Sequence, residues 1–505
     1  MLGKNNYYIS SLFWSTLAKI LNAVLGFITV PLLLGYYGKA EYGLLSIATA
    51  CNGYMSVMDL GMNVGTVKFY SQWKAEGKID KIFRVARSNI TFYLIIAVIN
   101  AFLLLGVAFW GEHLFAVTHA QFMQIRACLC IIALFSVCSW GTTVFNQLLI
   151  ADKQMAYTMK IQCVQTILKA VAVAVVFLAN IQLTTYFFLL TLIIALACIP
   201  YAIKCKRDGL LQDFLPAWYW GDFKIVLAFS VSIFALTLFQ VTATQSRPIL
   251  LSIFAQDGAS VVAEFRILEV VPQLIIMIGG TFSGVFLPKT SEMVATGDTQ
   301  TMRNFAYHWT TYTTVVVSLM CFPFMLCAKE VLTAYVGEQY AGLSKWLVVW
   351  CLTVYIQMHT TPSNALVLAH GKTKLLVRVT ACACICSMVL NAFLCKYLEV
   401  GSAIVSYFLY TSVVIGLYYV SFYKKLLKLN RLKMAKCFAT PTAVACLLFI
   451  LVYFMPVSEM IVGNDNSRIS NILVCVVKTL LWFVPYVFVL QCFKIVDIRK
   501  MLSSR

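Results

Sequence analysis

The chain has 505 residues, of which 61% are apolar and only 12% charged, with a mean hydropathy of +0.84. That balance excludes a soluble globular domain and reads as a polytopic membrane protein. The formal net charge of +19 points first to nucleic acid, but its distribution along the chain argues for a membrane topology signal instead.

About fourteen apolar segments are long enough to cross a hydrocarbon core of about 30 Å. The first seven cover residues 12–34, 43–67, 88–110, 125–150, 161–179, 183–203 and 223–246. The other seven cover residues 260–287, 304–327, 343–369, 375–394, 401–423, 437–456 and 469–490. No signal-peptide cleavage site follows the first run, so residues 12–34 are expected to stay as a span. An even number of spans puts both termini on one side. With the termini cytosolic, most of the 39 Lys and Arg fall in cytosolic segments: Lys4, residues 68–87, 204–207, 372–378, 424–436 and the tail 494–505. This asymmetry sets the orientation, and attraction to anionic headgroups is its natural by-product.

The first two spans carry polar stripes. In the first, Ser15, Lys19, Asn22 and Thr29, with Gly26 between, recur in steps of three and four and share one helical face. In the second, Ser46, Thr49, Asn52, Ser56, Asp59, Asn63 and Thr66 repeat the device from end to end. A helix facing only lipid has no use for such a face.

The stretch PLLLGYYGKAEYGLLSIA at residues 31–48, followed by Tyr54, Asp59, Leu60 and Gly61, resembles the amino-terminal signature of the bacterial polysaccharide transporters. That family includes the O-antigen and capsule flippases and is related to the multidrug and toxin extruders. The resemblance implies residence in the bacterial cytoplasmic (inner) membrane and a cavity between two lobes, lined by the first, second, seventh and eighth spans.

Three short matches recur in order at an offset of about 218 residues. Pro31 with its leucines corresponds to Pro248, residues 75–78 (AEGK) to 295–298 (ATGD), and 148–154 (LLIADKQ) to 366–372 (LVLAHGK). Six spans per repeat is even, so the halves share an orientation and relate by an axis along the membrane normal. The expected fold is an all-α polytopic membrane protein of two six-helix bundles in parallel repeat plus a C-terminal helix pair. Its divisions are an N-terminal lobe at 1–222, a C-terminal lobe at 223–436, and an accessory hairpin with cytosolic tail at 437–505.

On this repeat the seventh and eighth spans should also carry stripes, and they do: Ser230, Thr237, Gln240, Thr244 and Arg247, then Arg266, Glu269, Gln273, Gly280 and Gly284. Such residues also seal helix contacts, but charges this costly against lipid favour a water-filled cavity. Candidate cavity residues are Lys19, Asn22, Asn52, Asn63, Lys169, Gln240, Arg247, Arg266 and Gln273, with Asp59 and Glu269 as candidate coupling groups. Lys19 and Asp59 are expected about 10 to 12 Å from the cytosolic edge, with Lys169 at the same level. The competing readings are lysines snorkelling to the interface, an Arg266 to Glu269 pair, and Arg247 as an interfacial marker.

The 18 cysteines sit almost entirely in apolar spans and read as small core residues. Cys384 points away from Cys382 and Cys386 on a helix, so these make no metal site, and no cofactor is expected.

The reading favoured here is a flippase that moves a polyprenyl-diphosphate-linked oligosaccharide (an O-antigen, capsule or exopolysaccharide repeat unit) to the outer leaflet by alternating access. Lys19 and Lys169 would form its inward-facing diphosphate site, and Arg247 and Arg266 would receive the substrate outward. An ion-coupled drug or organic-cation antiporter of the same fold is the alternative, followed by a membrane glycan polymerase or ligase, which no loop is large enough to support. Expected partners are the lipid-linked glycan, membrane lipids, a proton or sodium ion, and glycan polymerase and chain-length proteins, without nucleic acid.

Overall fold

The computed structural model describes residues 2–211, 213–297, 299–371, 374–462 and 467–493. The tail 494–505, Lys372 and Asp298 of the sequence reading lie outside them. Among the described residues the secondary structure is helical, with no strand. Two compact units divide the chain, Met1–Ala263 and Glu264–Arg505.

The first unit holds α1 (Leu2–Tyr37), α2 (Lys39–Met55), α3 (Met62–Ala75), α4 (Ile79–Trp110), α5 (His119–Ala151), α6 (Met155–Ala179), α7 (Leu183–Leu196), α8 (Cys198–Arg207) and α9 (Trp220–Phe254). The second begins within α10 (Gly258–Thr296) and continues through α11 (Thr299–Leu326), α12 (Ala328–Val336), α13 (Ser344–Met358), α14 (Thr361–Ala369), α15 (Lys374–Leu398), α16 (Val400–Leu417), α17 (Arg431–Tyr453), α18 (Val457–Val462) and α19 (Arg468–Cys492). Among the described residues 11 helical segments are long and apolar enough to cross a bilayer. They match the first, third to sixth and ninth to fourteenth expected spans. The other three expected spans lie on α2 with α3, on α9 and on α10.

The second expected span is not one continuous helix. After α2 the chain passes through a 3-10 turn at Ser56–Asp59, and Leu60 and Gly61 then take left-handed φ values of 50° and 72° before α3 starts. Two left-handed residues in succession end an α-helix, and only the glycine adopts that conformation without strain. The stripe Ser46 to Thr66 is therefore two stripes on two helices.

α9 packs along both of them. A Cβ added to Gly53 would lie 3.1 Å from the Gln245 side chain, one at Gly61 would lie 2.7 Å from the Ser230 carbonyl oxygen, and one at Gly65 would meet the Ser230 hydroxyl. These three glycines let the backbones approach as small residues do in membrane helix pairs. The repeat would assign α9 to the second lobe; its packing is with α2 and α3.

In the second unit the tenth expected span breaks at His359–Thr360, between α13 and α14, where Pro362 opens α14. Proline is tolerated there because the first turn of a helix needs no donor from that residue. The buried His359 ring spans the break, with Nδ1 against the Ile356 carbonyl and Nε2 3.2 Å from the Tyr419 hydroxyl. The C-terminal pair α17 and α19 is built into this unit. Trp482 donates to the Ala445 carbonyl at 3.1 Å and stacks on Phe322 with centroids 5.4 Å apart, while the Tyr355 and Thr442 hydroxyls meet at 2.6 Å. Cys384 is buried and Cys382 and Cys386 are exposed, as helix geometry requires.

Candidate functional site

α1 and α6 run parallel, and their register is fixed by hydrogen bonds. The Thr166 hydroxyl donates to Asn22 Oδ1 at 3.0 Å, Tyr36 donates to Asn180 Oδ1 at 3.0 Å, and Tyr37 donates to the Ile181 carbonyl at 2.9 Å. Asn22 is exposed and turns its amide to the Ala18 carbonyl at 2.9 Å. One turn before it, Lys19 is exposed; one turn after Thr166, Lys169 is half-buried. Among the described residues neither lysine has a hydrogen-bond or carboxylate partner. The register also corrects one expectation. Lys169 stands opposite Leu25, six residues beyond Lys19, so the two ammonium stems leave the helix pair about 9 Å apart along its axis and do not share a level.

The break between α2 and α3 holds the second cluster. Asp59 Oδ1 accepts from the Tyr93 hydroxyl at 2.5 Å, and Oδ2 accepts from the Asn63 backbone N–H at 3.2 Å. Tyr93 in turn accepts from Gln147 Nε2 at 2.8 Å, and its ring stacks on Trp140 at 5.7 Å. Beside it, Asn89 Nδ2 reaches the Thr66 hydroxyl at 3.1 Å and the Tyr70 hydroxyl at 2.9 Å. Asp59 makes no ion pair with Lys19 among the described residues; its carboxylate turns inward to α4 instead. Asn52 and the Asn63 side chain are exposed on α2 and α3.

Tyr93, Asn89 and Gln147 were not singled out in the sequence. Nothing in their linear spacing shows that the fold brings Tyr93 and Asn89 of α4 together with Gln147 of α5 and the α2 to α3 break.

On α9, Gln240 is exposed and Arg247 is only 5% exposed, donating Nε to the Ala243 carbonyl at 2.8 Å. On α10, Arg266 Nη1 meets Glu269 Oε2 at 2.5 Å, and Gln273 Nε2 reaches Glu269 Oε1 at 3.2 Å. Both oxygens of Glu269 are thus held within its own helix face. Arg266 thus makes the pair with Glu269 that its spacing on one helical face allowed.

No group of three or more metal-ligating side chains occurs among the described residues. What the arrangement offers is binding without covalent chemistry: an exposed and a half-buried lysine on one helix pair, and a carboxylate held by a phenol at a broken helix.

A multi-span helical chain with charged and amide side chains set inside its spans is a polytopic membrane protein in class. More narrowly, the chain belongs to the polysaccharide biosynthesis protein family, which matches residues 9–294. No curated protein sequence matches it. Among solved structures it is similar to a lipid II flippase, MurJ, in an inward closed conformation, at 14% identity and a TM-score of 0.67, covering 93% of this chain and 98% of that one. It is also similar to an inward-facing multidrug resistance MATE family transporter of the MOP superfamily, at 15% identity and a TM-score of 0.64, covering 80% and 99%. The Vibrio cholerae MATE transporter VcmN aligns at 12% identity with a TM-score of 0.53, covering 83% and 99%. At these identities the likeness establishes the fold.

Proposed function

We propose that this protein flips a polyprenyl-diphosphate-linked oligosaccharide from the cytosolic to the outer leaflet of the bacterial cytoplasmic membrane. The observation that carries the reading is the α1 and α6 pair, which presents Lys19 and Lys169 in succession without protein partners among the described residues. Two cations spaced along one path suit an anionic headgroup handed from one to the next. A single fixed site would place them level. Lys and Arg replace the hydration of a diphosphate, whereas an organic cation would be repelled. Membership of the polysaccharide biosynthesis family supports the same substrate class.

On this reading the lobes at 1–222 and 223–436 rock against each other, with residues 437–505 as an accessory part. The termini face the cytosol by the charge asymmetry of the loops. Asp59 is the coupling group, since gaining a proton would remove the charge that strengthens its bond with Tyr93 and give it a hydrogen to donate.

A cation antiporter is the second reading, favoured by the same Asp59 carboxylate lying within the predicted spans. Purified protein in proteoliposomes separates the two. Transfer of a labelled lipid-linked diphosphate across the bilayer supports flipping. Extrusion of an organic cation with no lipid transfer refutes it.

A further inference from the structure

In the second unit a cavity of about 170 Å³ opens where three helix ends meet, and it plays no part in the transport reading. Met302 at the start of α11, Leu366 at the end of α14, and Leu426 and Leu427 give it apolar walls, while Thr299, Lys428 and His370, whose Nδ1 meets the Leu366 carbonyl at 2.8 Å, are its polar side chains. A π-helical segment, Tyr418–Leu426, delivers the last wall, and Lys428 follows it in the left-handed conformation, φ 51°. L residues rarely adopt that conformation, and here it falls at a residue lining the cavity.

The surroundings are strongly cationic. Lys424, Lys425, Lys428, Arg431, Lys433 and Lys436 are all exposed, and no acidic residue lies between positions 424 and 436. The acidic residues nearest this segment in sequence are Glu399 and Glu459, and those preceding Met302 are Asp298 and Glu292. Within this basic segment Leu432 stands 75% exposed, which an aqueous surface disfavours and a headgroup layer accommodates. Lys433 is drawn over the Tyr307 ring at 4.4 Å, and the Asn430 side chain caps α17 through Leu432 N and Lys433 N at 2.9 and 3.3 Å. The basic segment is therefore a fixed structure.

We propose that this cavity and its rim bind an anionic phospholipid of the membrane, with the headgroup phosphate at Lys428 and His370 and the glycerol and first acyl carbons against the leucines. Charge complementarity argues for a phosphate, and the apolar walls argue for one attached to lipid rather than free. Basic pockets at the ends of membrane helices, on the side carrying the positive loops, have this chemistry.

The test is native mass spectrometry of the full-length protein from micelles holding equimolar phosphatidylglycerol and phosphatidylcholine. The parent should retain phosphatidylglycerol preferentially, and added inorganic phosphate should not displace it. Lys428→Gln should weaken retention about fivefold, as expected for one cation at an anionic membrane surface. Met302→Trp, which fills the cavity without changing charge, should weaken it too. Lys206→Gln, which removes a charge from another basic helix end, should not. Equal retention by Lys428→Gln, by Met302→Trp and by the parent, with each variant eluting as a monodisperse folded species, would overturn the proposal. So would displacement of the lipid by inorganic phosphate.

Discussion

Tyr93 donates its hydroxyl hydrogen to Asp59 at 2.5 Å, and this bond ties α4 to the point where the second span breaks. An ionised Asp59 can only accept, whereas a protonated one also has a hydrogen to donate, so a proton arriving at Asp59 removes the charge that strengthens the Tyr93 bond and allows that bond to reverse. Gln147, which now donates to the Tyr93 oxygen at 2.8 Å, would be drawn into the change. Leu60 and Gly61 are the adjacent backbone that can absorb a movement of α3.

Tyr93→Phe tests that link. It removes a hydrogen bond to a carboxylate, so thermal unfolding should show a loss of about 1.5 to 3 kcal/mol. Transport by the variant should lose its response to an imposed proton gradient, as should Asp59→Asn. A Tyr93→Phe protein with full gradient response would make the network purely structural.

The contact of α3 with α9 makes a separate prediction. Gly65→Ala places a methyl group on the Ser230 hydroxyl and should destabilise by about 1 to 3 kcal/mol, the range for overpacking. Ser230→Ala should relieve part of that loss. In a double-mutant cycle the coupling should exceed about 0.5 kcal/mol, and strictly additive effects would contradict the close approach.

Lys478 on α19 meets Glu330 on α12 at 2.7 Å, with side chains only 8% and 11% exposed, and Ser458 donates to the same carboxylate oxygen at 2.7 Å. Lys478→Met should cost about 3 to 5 kcal/mol because it strands a buried carboxylate. Lys478→Met with Glu330→Leu should recover much of this. Chemical denaturation in detergent reads both, and an equal loss in single and double variants would show that the pair is not the cause.

At the Lys-rich end of the first unit, Lys204 donates to Asp208 at 3.0 Å and Gln154 Nε2 bridges Asp208 to Asp152 at 2.6 Å each. The Lys204 bond, then the Gln154 bond, holds the Asp208 carboxyl below its ordinary value of 3.8. A lowered value means the stabilisation is fully present above 3.8 and is lost as pH falls through the folded-state value. Asp208→Asn should therefore melt below the parent at neutral pH and converge with it in acid. A gap that persists unchanged at the lowest accessible pH would contradict this.

The sequence made the membrane class, eleven of the spans and the polar face of α1 legible, because each depends on local composition or period. It concealed the break at Asp59, since Ser56, Asp59 and Asn63 keep helical steps across it; the available signal was Gly61 inside a helical pattern. The partner of Asp59 was also hidden. A carboxylate in a helix bundle is held by whichever donor the packing delivers, here a tyrosine 34 residues away. The equal level of Lys19 and Lys169 failed for a related reason: depth was counted from span ends, whereas register is set by Asn22, Tyr36 and Tyr37 against α6.

The most direct test of the transport reading is binding of a polyprenyl-diphosphate-linked oligosaccharide to purified protein carrying Lys19→Gln or Lys169→Gln. A lysine to diphosphate contact is worth about 1.5 to 3 kcal/mol, so each variant should bind about tenfold to a hundredfold more weakly, and arginine at either position should restore part of the loss. If both glutamine variants, correctly folded and inserted, bind as tightly as the parent, the two lysines only snorkel and the α1 and α6 pair is not the substrate path.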